Sequence, residues 1–137
     1  RLDVRMAFNK KIKLKIKEND ETYLIARVIL ANGNPVVYQK IYLPKKYYKS
    51  FEKKYHHMTN LYHFIEDTFH HTIDHLHNTF NAVNATPADA LLLNMKADDA
   101  IYYVRSKIID DKDRVIGYAG HFFPGDFTEF EVIVHAV

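Results

Sequence analysis

The sequence predicts an α+β domain, an antiparallel β-sheet with a few helices packed on it. Three observations carry that expectation. Asn32-Gly33 sits between two β-rich runs, YLIARVIL and PVVYQKIYL, and is the strongest short-range hairpin signal a sequence offers. Thr86-Pro87 opens an alanine-rich helical segment, ATPADALLLNM, with Thr as cap and Pro at the first helical position. Three strand-like runs then close the chain, IYYVRSKII, VIGYAGHFF and FTEFEVIV, separated by the turns DDKDR and PGD. Hairpin connections dominate, which favours an antiparallel sheet.

Taken in order, the first strand expected is KKIKLKIK, where Lys alternates with Ile and Leu at a period of two, and ENDET breaks it. The hairpin at Asn32-Gly33 follows, and Pro44 ends its second strand because proline has no amide for the ladder. KKYYKSFEKKY reads as a short basic amphipathic helix. A second helix starts at Thr59 or Asn60, either of which can cap, with Leu61, Phe64, Ile65 and Phe69 at helical spacing. TIDHLHNTFNAV reads as a strand with Ile73, His75 and His77 on one face and Asp74, Leu76 and Asn78 on the other. The expected order is therefore β-β-β-α-α-β-α-β-β-β.

Bulk properties exclude several classes. At 137 residues the chain suits one domain, 1–137, and 47% hydrophobic with 26% charged residues reads as globular rather than disordered. No apolar run approaches the ~20 residues of a membrane helix, and no secretory signal opens the chain, so no membrane partner is expected. The absence of cysteine removes disulfide and thiolate chemistry and makes a cytoplasmic location the default. A net charge of +2 is far from the footprint of a dedicated nucleic-acid binder. The abrupt start RLDVRMAF reads as a domain cut from a longer protein.

Chemical motifs are sparse. His71 and His75 would share a helix face at i,i+4, the spacing used for zinc, yet the helix is expected to end between them and no HExxH is present. Strand or helix-end histidines are the favoured reading, with no metal and no cofactor. The lysine-rich segments suit a protected edge strand and the outer face of a helix. Acidic pairs such as Asp110-Asp111 fall at turns, and no GxSxG, Walker loop or GxGxxG occurs. Arg27 stands out: with Ile25 and Ile29 it occupies one face of its strand, and an arginine among apolar neighbours needs an anionic partner or an exposed edge. Gln39 lies across the hairpin and could share that face. Asn60 and Tyr62 open the central helix, where free amides favour an anion. A surface arginine paired to a carboxylate is the equal alternative.

Four segments, ARVILANGNPVVYQKIYLP, NLYHFIEDTF, TPADALLLNM and IYYVRSKIIDDKDRVIGYAGHFFPGDFTEFEVIV, resemble in order the UTRA effector-binding domain of GntR/HutC-family bacterial transcription regulators. The resemblance implies a chorismate-lyase-like fold, a homodimer, a small-molecule effector of anionic or sugar-like character, and operator DNA bound through an amino-terminal winged helix absent from this chain. It also implies roles. Arg27 matches the family's first basic contact, while its second basic position is Ile29. Gln39 stands where a glutamate is frequent, Asn60 replaces a frequent serine, and Tyr62 keeps the family tyrosine. Gly117 precedes Tyr118 where Glu-Tyr is common, and Phe123 takes a position often held by tyrosine. Ligand-binding residues expected on this basis are Arg27, Gln39, Asn60, Tyr62, Gly117 and Phe123, with no catalytic residue. The departures weigh against a phosphosugar. Alternatives are an enzyme acting on a chorismate-like anion, or a basic nucleic-acid-binding module.

Overall fold

The structure, a computed structural model, describes residues 2–13, 21–55 and 60–136. Six strands, β1 (Leu2–Lys13), β2 (Glu21–Ala31), β3 (Asn34–Pro44), β4 (Ile73–Asn84), β5 (Ala100–Asp110) and β6 (Val115–Pro124), form one sheet in the order β1-β2-β3-β6-β5-β4. All five neighbouring pairs are antiparallel. Two three-strand meanders, β1–β3 and β4–β6, are thus joined edge to edge by the β3–β6 pairing. This is the α+β architecture the sequence predicts.

The turns explain why the strands pair as they do. Asn32 and Gly33 both have positive φ, 50° and 82°, the geometry that a two-residue hairpin loop requires. At the β5–β6 turn, the Asp110 carboxylate accepts hydrogen bonds from the backbone amides of Lys112 (3.1 Å) and Arg114 (2.8 Å) and from Arg114 Nε (2.8 Å). Burial acts to raise the pKa of Asp110, but the bonds from Arg114 and Lys112 outweigh it and hold the carboxyl below its usual value.

Alternation along the strands creates two faces. On the first, Tyr23, Ile25, Ile41, Leu43, Ile108 and Ala119 pack under Tyr48, Phe51, Leu61, Phe64 and Ile65. These covering residues come from the β3–β4 connection, which holds α1 (Phe51–Lys54) and α2 (Leu61–His63). On the second face, Ala26, Val28, Tyr38 and Ile101 pack with Ala85, Ala90 and Leu93. Ala90 and Leu93 belong to α3 (Pro87–Leu93), whose Thr86 hydroxyl accepts from Asp89 N at 3.2 Å, with Pro87 opening the first turn.

Five expectations need correction or qualification. The lysine-rich strand begins at Leu2, and Lys10–Lys13 form only its end; Leu14–Lys17 lie outside the described residues. KKYYKSFEKKY is not one helix: a 3₁₀ turn at Lys45–Tyr47 is separated from α1 by Ser50 at φ 60°. The cause is Tyr48, fully buried, whose hydroxyl donates to Ile116 O at 2.6 Å and pulls the chain out of helical register. The second helix is a short α2 that widens to a π-helix over Phe64–Thr68, and the possible cap Thr59 lies outside the described residues. In β4 a bulge between Ile73 and His75 breaks the alternation, so Ile73 packs with Leu76 on the first core rather than lying with His75 and His77.

The fifth correction is the largest. FTEFEVIV was expected as a closing strand, yet Thr128–Ala136 pairs with no strand among the described residues. β6 already has β3 on one side and β5 on the other, so the chain that leaves it cannot pair beside β6 itself. Phe130 packs against Phe80, Tyr102 and Phe123, after which Val132, Ile133 and Val134 are 81%, 73% and 85% exposed.

Candidate functional site

Register puts the expected residues in a line. Arg27 on β2 pairs with Gln39 on β3, Gln39 with His121 on β6, and His121 with Val104 on β5. All point to the first face, where the helical connection packs. Arg27 is only 2% exposed, and its Nε donates to Gln39 Oε1 at 2.6 Å. Because arginine can only donate, the Gln39 amide oxygen must face it. The amide nitrogen therefore faces His121 Nδ1 at 3.0 Å and donates to it. That fixes the tautomer: His121 Nδ1 accepts and Nε2 carries the proton.

Electrostatics hold this arrangement. Burial, with the nearby Arg27 charge, depresses the His121 pKa to about 4, so the imidazole is neutral near pH 7. Burial also draws the Arg27 pKa down, while the Tyr55 phenol works the other way. Burial pushes the Tyr55 phenol up, with Arg27 opposing. The line thus sets a buried cation and an amide beside a neutral imidazole. Such a set suits a ligand rich in acceptors, an anion or a polyol. It offers no nucleophile activated by an adjacent base.

Beside this line stands an aromatic wall. Phe123 lies two residues beyond His121 on the same face, with ring centres 6.2 Å apart. Phe130 meets Phe123 edge-on at 5.3 Å, and meets Tyr102 at 5.4 Å and Phe80 at 5.3 Å. Phe80, Tyr102 and Phe130 are all partly open to solvent.

The expected ligand residues separate into three groups. Arg27, Gln39 and Phe123 come together around His121. Asn60 is the amino-terminal cap of α2, its Oδ1 accepting from His63 N at 3.1 Å, and Tyr62 packs against the first core with its phenol pKa raised by burial. Gly117 stands apart from both; a Cβ there would meet Ile108 Cδ1 at 3.0 Å and Leu43 Cδ2 at 3.4 Å, so the strand packs closely at this position. His121 was missed by the sequence reading. Its spacing from Phe123 in VIGYAGHFF placed it on the same face, but only the β3–β6 register brings it beside Gln39. Among the described residues, no three His, Asp or Glu side chains gather as a metal site, and no helix is long and apolar enough to cross a membrane.

The UTRA domain family model matches residues 9–129. The chain belongs to the UTRA domain family. Solved structures with the same fold include the ligand-binding domain of a putative GntR-family transcriptional regulator from Bordetella bronchiseptica (TM-score 0.88, 17% identity, covering 98% of this chain and 90% of that one). The effector domain of PhnF from Mycobacterium smegmatis gives a TM-score of 0.92 at 17% identity, covering 99% and 88%. The carboxy-terminal domain of the histidine utilization repressor from Pseudomonas syringae gives 0.87 at 14% identity, covering 99% and 100%. A search of curated protein sequences finds no match.

Proposed function

We propose that residues 1–137 form the effector-binding and dimerisation domain of a cytoplasmic GntR-type repressor of the HutC subfamily, working with a winged helix that binds operator DNA. The observation that carries this reading is the Arg27–Gln39–His121 line, a hydrogen-bonded polar row on the helix-covered face of a UTRA fold. Its ligand is a small anion or polyol with an apolar side to meet Phe123. An enzymatic role has less support, because a neutral imidazole bonded to an amide is a positioning group rather than one half of an acid–base pair.

Effector binding alters operator affinity only by the difference in its affinity for two arrangements of the regulator. The test uses the full-length regulator. Anionic metabolites, sugar phosphates and aromatic carboxylates are screened by thermal shift, and each hit is added to an operator titration. A hit is expected to change operator affinity by about 5- to 150-fold. Arg27→Met is expected to weaken the same hit by about 100-fold, the loss of a charge-assisted contact. Unchanged operator affinity at a saturating hit would defeat the sensing role.

Dimerisation is supported by the tail. An extended segment with exposed Val132, Ile133 and Val134 resembles a strand lacking its neighbour, and a second copy can supply one. Truncation after Thr128 is expected to turn a dimer into a monomer in sedimentation velocity. A truncated chain that stays dimeric rules the tail out as the contact.

A further inference from the structure

The face of the sheet opposite the Arg27 line carries a groove of about 520 Å³. Its side chains form a grid set by register. Tyr38, Phe122 and Tyr103 make one row; Lys40, Gly120 and Arg105 the next; Tyr42, Tyr118 and Lys107 the third. His77 and Thr79 of β4 border the last two rows. The groove lining thus holds Lys40, Arg105 and Lys107 but no carboxylate. Helix α3 covers the Tyr38 end of the first row through Ala90 and Leu93, while the Lys40–Gly120–Arg105 and Tyr42–Tyr118–Lys107 rows line the groove.

Gly120 is the centre of the grid. A Cβ there would sit 3.1 Å from Tyr103 Cε1 and 3.3 Å from its hydroxyl. With no Cβ present, the Tyr103 ring lies down over the strand and stacks on Phe122, centroids 4.5 Å apart at 16°. Phe122 in turn stacks on Tyr38 at 5.6 Å, and Lys40 Nζ lies 5.7 Å from the Tyr38 ring centre and 6.0 Å from that of Phe122. Lys40 is thereby held by ring faces, and among the described residues Arg105 makes only a long 3.5 Å contact to Asn81. A stack of aromatic rings beside a row holding two cations, with a third cation in the next row, is a surface for a planar molecule bearing negative charge. Its ring would stack on Tyr103 and its anionic group would be met by Lys40, Arg105 and Lys107.

We infer that this groove is a second binding site, distinct from the Arg27 line, for a small planar aromatic or heteroaromatic anion. It stands on its own register and charge, so failure of the sensing role at Arg27 does not remove it.

The test compares 8-anilino-1-naphthalenesulfonate with its uncharged analogue N-phenyl-1-naphthylamine, by fluorescence and by amide chemical shifts. The sulfonate is expected to shift the amides of Tyr103, Arg105 and Gly120. Lys40→Gln/Arg105→Gln/Lys107→Gln is expected to weaken it by at least about 10-fold, with the neutral analogue unchanged, and the Arg27→Met chain is expected to bind it normally. Because Arg105 and Lys107 are exposed, Arg105→Gln/Lys107→Gln gives a second variant that keeps the fold, with a smaller loss of the same sign. Equal sulfonate affinity in the charge variants would overturn the site, as would shifts confined to His121, Phe123 or the tail. Absence of shifts because a second copy covers this face would also overturn it. A short oligonucleotide binding more than about 100-fold tighter than the sulfonate, at the same residues and with steep salt dependence, would replace the small anion by a nucleic acid.

Discussion

Tyr48→Ala is expected to lower the unfolding free energy by about 3–5 kcal/mol, the range for truncating a fully buried aromatic residue. Such a loss is a large part of the roughly 5–15 kcal/mol that holds a domain together. Tyr48 is central for three reasons. Its hydroxyl donates to Ile116 O at 2.6 Å, its ring meets Phe69 edge-on at 5.0 Å, and it meets His71 at 5.3 Å. It therefore fastens the β3–β4 connection to β6, the strand that carries His121. Burial pushes its phenol pKa far above the usual value, with Asp110 and Tyr47 adding to the effect, so it remains a neutral donor. Tyr48→Phe keeps the ring and leaves Ile116 O without this donor, and is expected to cost about 1–2 kcal/mol. Urea unfolding of the two variants separates packing from hydrogen bonding. Equal losses would mean that the ring contributes nothing beyond its hydroxyl.

Acidification is expected to destabilise the fold well before the carboxylates protonate. His121 titrates near pH 4 in the folded chain against an ordinary 6.5, so the folded state disfavours the protonated form. Above pH 6.5 both states hold a neutral imidazole and the full stability is present. As the pH falls from 6.5 towards 4 the unfolded chain takes up a proton that the folded chain refuses. Stability therefore drops across that window, by on the order of 3 kcal/mol. Asp110, with its pKa held down, acts in a lower window, below the ordinary 3.8, where protonation of its carboxyl breaks the turn. Unfolding free energies at intervals from pH 7 to 4 read the slope directly. His121→Asn, which cannot titrate, is expected to flatten it; an equally steep slope in that variant would assign the loss to other groups.

The sheet was legible because its signals are local. Asn32-Gly33, Thr86-Pro87 and Asp110–Arg114 each act through a few neighbouring residues, and each forms the turn or cap that its chemistry prescribes. What was not legible depends on contacts distant in sequence. The break at Ser50 exists because Tyr48 reaches Ile116. The loss of the final strand was hidden too, since alternation in FTEFEVIV says only that the segment can pair and not which strand it would meet. The site divides in the same way. Arg27 and Gln39 face each other across one hairpin and were found together. His121, the third member of the line, waits on a pairing between meanders. Gly117 was placed in the site by family resemblance, and its close approach to Ile108 and Leu43 was not legible. The two strand faces were read correctly at Arg27, but nothing local indicated that Lys40, Arg105 and Lys107 would gather on the other one.

The seam between the two meanders has a kinetic consequence. Each meander is built from hairpins whose partners are near in sequence, so each can form quickly. The β3–β6 pairing must instead bring together residues such as Gln39 and His121, separated by 82 positions, and its loop closure is the costly step. Both the Arg27 line and the Lys40–Gly120–Arg105 row span that seam. Neither proposed binding surface exists in either half alone, so a nascent or partly folded chain holding only the first meander carries Arg27 and Gln39 without His121 beside them. Competence to bind arrives with the last long-range closure, and any ligand spanning the seam stabilises the final step of folding rather than the hairpins that precede it.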